Sequence, residues 1–202
     1  EQAIAYYSQA LHIAREIGDR RSESSQLGHL GIICKILGEY ERAIEHYTQA
    51  LHIAREIGDR RNEGIHLVNL GDAFFARGQR TEAEASFRRA IAMGEEVFPL
   101  VIGASCGSLA LLLAQQGDLD AALSLLETAK PLVEPYPDEH AKLLCKKGQI
   151  CLITGDIDGA QAVLTQAQEL VVTERGEVGK AVAELGAALS ARAPDEGRKE
   201  HP

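Results

Sequence analysis

Thirteen residues, QALHIAREIGDRR, stand at positions 9–21 and again, letter for letter, at 49–61. Extended outward, EQAIAYYSQALHIAREIGDRR (1–21) and ERAIEHYTQALHIAREIGDRR (41–61) differ at four positions. A duplication forty residues apart constrains the fold more than composition does, because each copy must form the same unit and bury its apolar face against its neighbours. With this period as a guide, weaker copies emerge. Gly31, Gly71, Ala110, Gly148 and Gly186 share one register, with steps of 40, 39, 38 and 38 residues. Seven residues after the first four come Gly38, Gly78, Gly117 and Gly155. Five further on stand Ala43, Ala83, Ala122 and Ala160, then a large residue (Tyr47, Phe87, Leu126, Leu164), then Ala50, Ala90, Ala129 and Ala167.

That register is a helical hairpin. Leu27, Leu30, Gly31 and Cys34 fall at i, i+3, i+4 and i+7, one stripe of an α-helix. Gly38 ends it, and a second stripe follows with Ala43, Tyr47, Ala50 and Leu51. Small residues let the two backbones approach, and the large residue between the alanines fills the gap. Gly58 closes the second helix, with Arg55 in its last turn favourably placed against the helix dipole. The pattern predicts ten helices near 1–17, 23–38, 41–57, 63–78, 81–96, 100–116, 119–132, 138–154, 158–173 and 177–192. EPYPDEH (134–140), with two prolines, is expected to be a loop in which Asp138 caps the next helix. The last helix repeats Leu185-Gly186 with no second helix after it, as a solenoid cap would, and residues 193–202 read as a frayed polar tail.

These residues resemble the tetratricopeptide repeat family: Leu-Gly in a first helix, then Gly, Ala, a large residue and Ala. The longer unit, with AREIGDRR leading into the next first helix, is similar to the variant found in kinesin light chains, LGN/Pins spindle-orientation proteins and bacterial multidomain regulators. The resemblance implies an all-α, right-handed superhelical solenoid over 1–192. It also implies a protein-interaction module, the sensor or scaffold part of a larger cytoplasmic signalling protein. The alternative is a structural or self-association segment, its groove filled by flanking chain or by a second copy. Because residue 1 falls inside a second helix, the chain reads as a piece of a larger protein, and its first helix as the self-association surface.

Composition narrows the partners. Thirty acidic against twenty-one basic residues give a net charge of −9, with no Trp and 4% aromatics. Such a surface neither neutralises phosphates nor stacks bases, so nucleic acid is not expected. No apolar run approaches the length that spans a bilayer, so no membrane partner is expected either. No glycine loop for phosphates and no catalytic constellation is visible, so the chain is read as a non-enzyme without cofactor or metal. Cys34, Cys106, Cys145 and Cys151 lack ligand spacing. Reduced, buried thiols are the expectation; Cys34, Cys106 and Cys151 lie on the packing stripe, whereas Cys145 falls on the other stripe and is the one thiol to test for reactivity. The GDRR phrases, flanked by Glu16, Glu23, Glu56 and Glu63, read as solvated, charge-balanced turns.

By the resemblance, first helices line a concave groove. Its predicted residues are Ile32, Lys35 and Ile36; Val68, Asn69, Asp72 and Phe75; Leu111 and Gln115; Lys142, Cys145, Lys146 and Gln149; and Lys180. Gly28 and Ile32 stand where chaperone-binding relatives carry a carboxylate clamp, so that role is not implied. Asn69, in VNLG, retains the amide with which LGN-like domains hold a peptide backbone. The stripe changes character along the chain: Ile32, Ile36, Val68, Phe75 and Leu111 suit an apolar partner face, and Lys142, Lys146 and Lys180 suit an acidic flank. The same apolar side chains could instead pack between neighbouring first helices.

Overall fold

The computed structural model describes residues 2–93, 98–171 and 176–192, all helix or connection, with no strand among them. Ten α-helices follow in order: α1 (Gln2–Glu16), α2 (Arg20–Ile36), α3 (Tyr40–Glu56), α4 (Arg60–Ala76), α5 (Arg80–Ala92), α6 (Pro99–Gln116), α7 (Leu119–Val133), α8 (Pro137–Thr154), α9 (Ile157–Leu170) and α10 (Glu177–Ser190). They divide into two compact units, residues 1–133 (α1–α7) and 134–202 (α8–α10). Within the first, each helix packs on the next, and the first helices α2, α4 and α6 also pack side by side. In the second, α10 packs on both α8 and α9.

The turns explain the tight pairing. Gly38 adopts φ +78°, which costs glycine nothing, and lets the Glu39 N–H reach back to the Cys34 carbonyl at 2.9 Å. The residue that closes one helix also begins the next. Asp19, Asp59 and Asp156 each close a helix in this way and then accept the N–H of Ser22, Asn62 or Gly159 at 3.0, 3.2 and 2.9 Å. Because these aspartates cap, α2 and α4 begin three residues earlier than the sequence suggests, at Arg20 and Arg60.

The repeat register is a set of ring-on-glycine contacts. A Cβ at Gly31 would lie 2.6 Å from Tyr47 Cε1, and one at Gly71 2.5 Å from Phe87 Cε1; both rings are fully buried. Where Ala110 replaces glycine, the register position of the ring carries the smaller Leu126, 5% exposed. In the second unit the Gly148 space is taken by Leu185 and Val163, so Leu164 does not fill it as the register alone suggests.

Several expectations change. α8 begins at Pro137 with Tyr136 as its cap, so EPYPDEH is shorter as a loop than expected and Asp138 sits in the first helical turn. α5 ends at Ala92; its predicted extension to 96, the end of the ninth helix near 173 and the tail 193–202 fall on or run into residues outside those described. α6 is, by length and composition, apolar enough to cross a membrane, contrary to the sequence expectation; 67% of it is buried, as befits a core helix between α4, α5 and α7.

Candidate functional site

The face shared by α2, α4 and α6 is where the first unit offers binding surface. Ile36 is 50% exposed, Gln115 is exposed, and Ile32, Lys35, Asn69, Asp72 and Phe75 are half-buried, with Ile65 completing the row. Ser108 Oγ donates to Asp72 Oδ1 at 2.9 Å, tying α6 to α4 and spending one lobe of that carboxylate. Val68 and Leu111, 8% and 6% exposed, are packed between helices; of the two roles open to them, packing is the one they fill. The result is a shallow apolar strip with one amide, Asn69, at its centre.

The second unit corrects the basic cluster. Lys142 Nζ lies 2.7 Å from Glu139 and 3.7 Å from Glu177, and Lys180 Nζ lies 3.8 Å from Glu184. Lys146 and Gln149 are half-buried beside them. Three lysines thus stand among three glutamates, and the patch has no excess of positive charge to steer an acidic ligand. Cys145 is also corrected: it is 2% exposed, and burial pushes its thiol up to about 11. Cys151 is the half-buried thiol, with burial first and Asp156 second raising it as well. Cys34 and Cys106 are buried as expected.

Two features escaped the sequence. Glu23 and Glu63, placed in solvated turns by their neighbours, are 6% and 3% exposed. Each is clamped by two arginines: Arg15 Nε at 2.9 Å and Arg20 Nη1 at 2.5 Å on Glu23, then Arg55 Nε at 2.9 Å and Arg60 Nη1 at 2.5 Å on Glu63. Arg20 also bonds Glu56 of α3, so the clamp spans a whole repeat. The second feature is His66, 3% exposed, whose Nε2 lies 3.0 Å from Ser24 Oγ. The serine hydroxyl gives its proton to the Ala50 carbonyl at 2.9 Å, so Nε2 carries the hydrogen and Nδ1 is a buried acceptor without a donor among the described residues. Burial lowers the His66 pKa to about 4, against a smaller opposite pull from Asp59 and a further lowering by His29. The signal for the clamps was present in principle: Arg and Glu eight residues apart, recurring with the forty-residue period.

No three metal-capable side chains converge among the described residues. What the fold resembles is given by comparison. The family model for the MalT-like TPR region matches residues 1–177. The chain belongs to the MalT-like TPR family. Among solved structures, this TPR region is similar to BtubC (BKLC) from P. vanneervenii, with 18% identity, a TM-score of 0.69, and coverage of 95% of this chain and 83% of that one. At that identity the likeness concerns the fold. None of the curated proteins matches the TPR region. Regions of this family are in general protein-interaction modules and typically non-catalytic.

Proposed function

We propose that this chain binds a peptide or helix of a partner protein on the first-helix face of residues 1–133, as the sensor or scaffold part of a larger cytoplasmic signalling protein. The observation that supports this is the strip of Ile32, Ile36, Ile65 and Phe75 around Asn69, apolar side chains left partly uncovered on a face that α2, α4 and α6 form together. An apolar partner face would remove them from water, while the Asn69 amide bonds an extended backbone. The experiment is affinity capture of partners by this chain, followed by titration of a captured partner against variants. Phe75→Ala should weaken it by about 1–3 kcal/mol if Phe75 is an anchor. Unchanged affinity for both Phe75→Ala and Ile36→Asp, with helical content retained, would move the site off this face. A second reading, self-association, is favoured by one observation: Tyr6 and Ile13 of α1, and Ile17 just after it, are 69%, 47% and 71% exposed.

A further inference from the structure

The second arginines of the two GDRR phrases, Arg21 and Arg61, hold the same register on α2 and α4, and both are exposed. With Ser25, Asp59, Asn62 and Ile65 they line an open pocket of about 410 Å³. In α6 the same register carries Leu100, and Ala104 stands where α2 and α4 have Ser25 and Ile65. Along the first unit, this charge therefore belongs to the α2–α4 pair.

The polar groups of the pocket divide into those already engaged and those open to a ligand. Asp59 is 9% exposed; its Oδ1 accepts the Asn62 N–H at 3.2 Å, and its Oδ2 accepts Asn62 Nδ2 at 3.0 Å and lies 3.1 Å from Arg21 Nε. The Ser25 hydroxyl donates to the Arg21 carbonyl at 3.1 Å. Arg21 engages Asp59 through Nε, yet its side chain is 74% exposed. Arg61 lies over the Phe98 ring, Cζ 5.1 Å from the centroid, a contact that holds the guanidinium without consuming its N–H donors. Two guanidinium groups against one carboxylate leave the pocket a single positive charge, in a chain whose net charge is −9. Ile65 belongs both to this pocket and to the apolar strip. On α4, Arg61, Ile65, Val68, Asp72 and Phe75 follow at i, i+4, i+7, i+11 and i+14, one face of the helix, so pocket and strip are one surface.

We propose that this pocket receives the carboxylate of an aspartate or glutamate side chain in the bound segment, and so fixes that segment's direction and register on the strip. The inference rests on the peptide-binding reading above. A guanidinium meets a carboxylate edge to edge with paired N–H donors. The occupant is a carboxylate rather than a doubly charged phosphate because Asp59 in the wall leaves one positive charge to be met. Arg61 and Phe75 are fourteen residues apart, about 21 Å along a helix, a span that about six residues of extended chain cover. The partner segment therefore carries an acidic residue about six positions from an apolar one.

Selection from a random-sequence peptide library, run in parallel on the wild type, Arg61→Leu and Phe75→Ala, tests this. Arg61→Leu installs the residue that α6 carries in this register and removes no contact of Asp59, so helical content should be unchanged. Peptides selected on the wild type should share an acidic residue about six positions from an apolar one. Those selected on Arg61→Leu should keep the apolar residue and lose the acidic one. For a wild-type binder, replacing the acidic residue by its amide should weaken binding to the wild type about tenfold and leave binding to Arg61→Leu unchanged. Added salt should weaken the wild-type complex more than the variant's. Peptides that need Phe75 but show no acidic preference, or whose acidic residue counts equally with and without Arg61, overturn the proposal and leave the strip reading standing. A phosphoserine that binds more tightly than the acid in its place also overturns it, by assigning the pocket to phosphate. Peptides indifferent to Phe75→Ala, or a library without binders, sink the strip reading and the proposal with it.

Discussion

His66 is neutral because its surroundings hold one proton in place and offer no acceptor for a second. Its folded pKa, about 4, lies below the ordinary 6.5, so between those values the unfolded chain binds a proton that the folded chain refuses. Stability should therefore be full above pH 6.5 and fall as pH drops from 6.5 toward 4, by on the order of 3 kcal/mol. Thermal melts across this range should show the loss, and His66→Gln should flatten it; an equal slope in the variant would remove His66 as the cause. Glycine gives a sharper contrast at this scale. Gly31→Ala drives a methyl into the Tyr47 ring and should cost about 1–3 kcal/mol. Gly186→Ala, same register but with open space, should instead stabilise α10 by up to about 1 kcal/mol through helix propensity. Chemical denaturation of both variants decides this. The register was legible in the sequence because it repeats. His66 was not, since Ser24, its partner, lies 42 residues away and the forty-residue copy of His66 is Gln26.

At the level of elements, the connection between repeats is an ion-paired lock rather than a solvated turn. Removing the charge of a buried, doubly bonded glutamate should be felt: Glu63→Gln is expected to cost about 1.5–3 kcal/mol, whereas exposed Glu16→Gln should stay within about 0.5 kcal/mol. Urea unfolding of the two variants checks the difference. For Glu23, burial pushes the carboxyl up but the Arg15 and Arg20 hydrogen bonds outweigh it, holding it below the usual range. Its contribution is present above the ordinary carboxylate pKa and is lost as pH falls through the lowered value, a window below that of His66. Helix number and order were legible, because glycine and proline punctuate each unit. Helix starts at Arg20 and Arg60 were not, because an Arg-Arg pair after Gly-Asp reads as turn until the aspartate is seen capping.

For the whole molecule, the register put the strip residues on the first helices α2, α4 and α6 but did not give their depth. Val68 and Leu111 have the same register logic as Ile36, yet only Ile36 stays open, since depth depends on which neighbour leans over each position. Charge behaved likewise: Lys142 read as part of a basic stripe, yet Glu139 lies 2.7 Å from its Nζ and Glu177 of α10 lies 3.7 Å away. A chelator should leave the melting temperature unchanged, as no metal-capable cluster exists among the described residues; a downward shift would expose a missed site. The duplicated phrase has one more use. Residues 10–20 and 50–60 have identical neighbours on both sides, so their amides share the same intrinsic chemistry in the unfolded chain. Any difference in amide exchange between, for example, Ile13 and Ile53 is then a direct measure of environment, with the sequence contribution cancelled. Peptide masses cannot tell the two segments apart, but resonances can. Slower exchange at Ile53 is expected from its 4% exposure against 47% at Ile13, so the protein carries its own internal standard for what one neighbouring helix is worth.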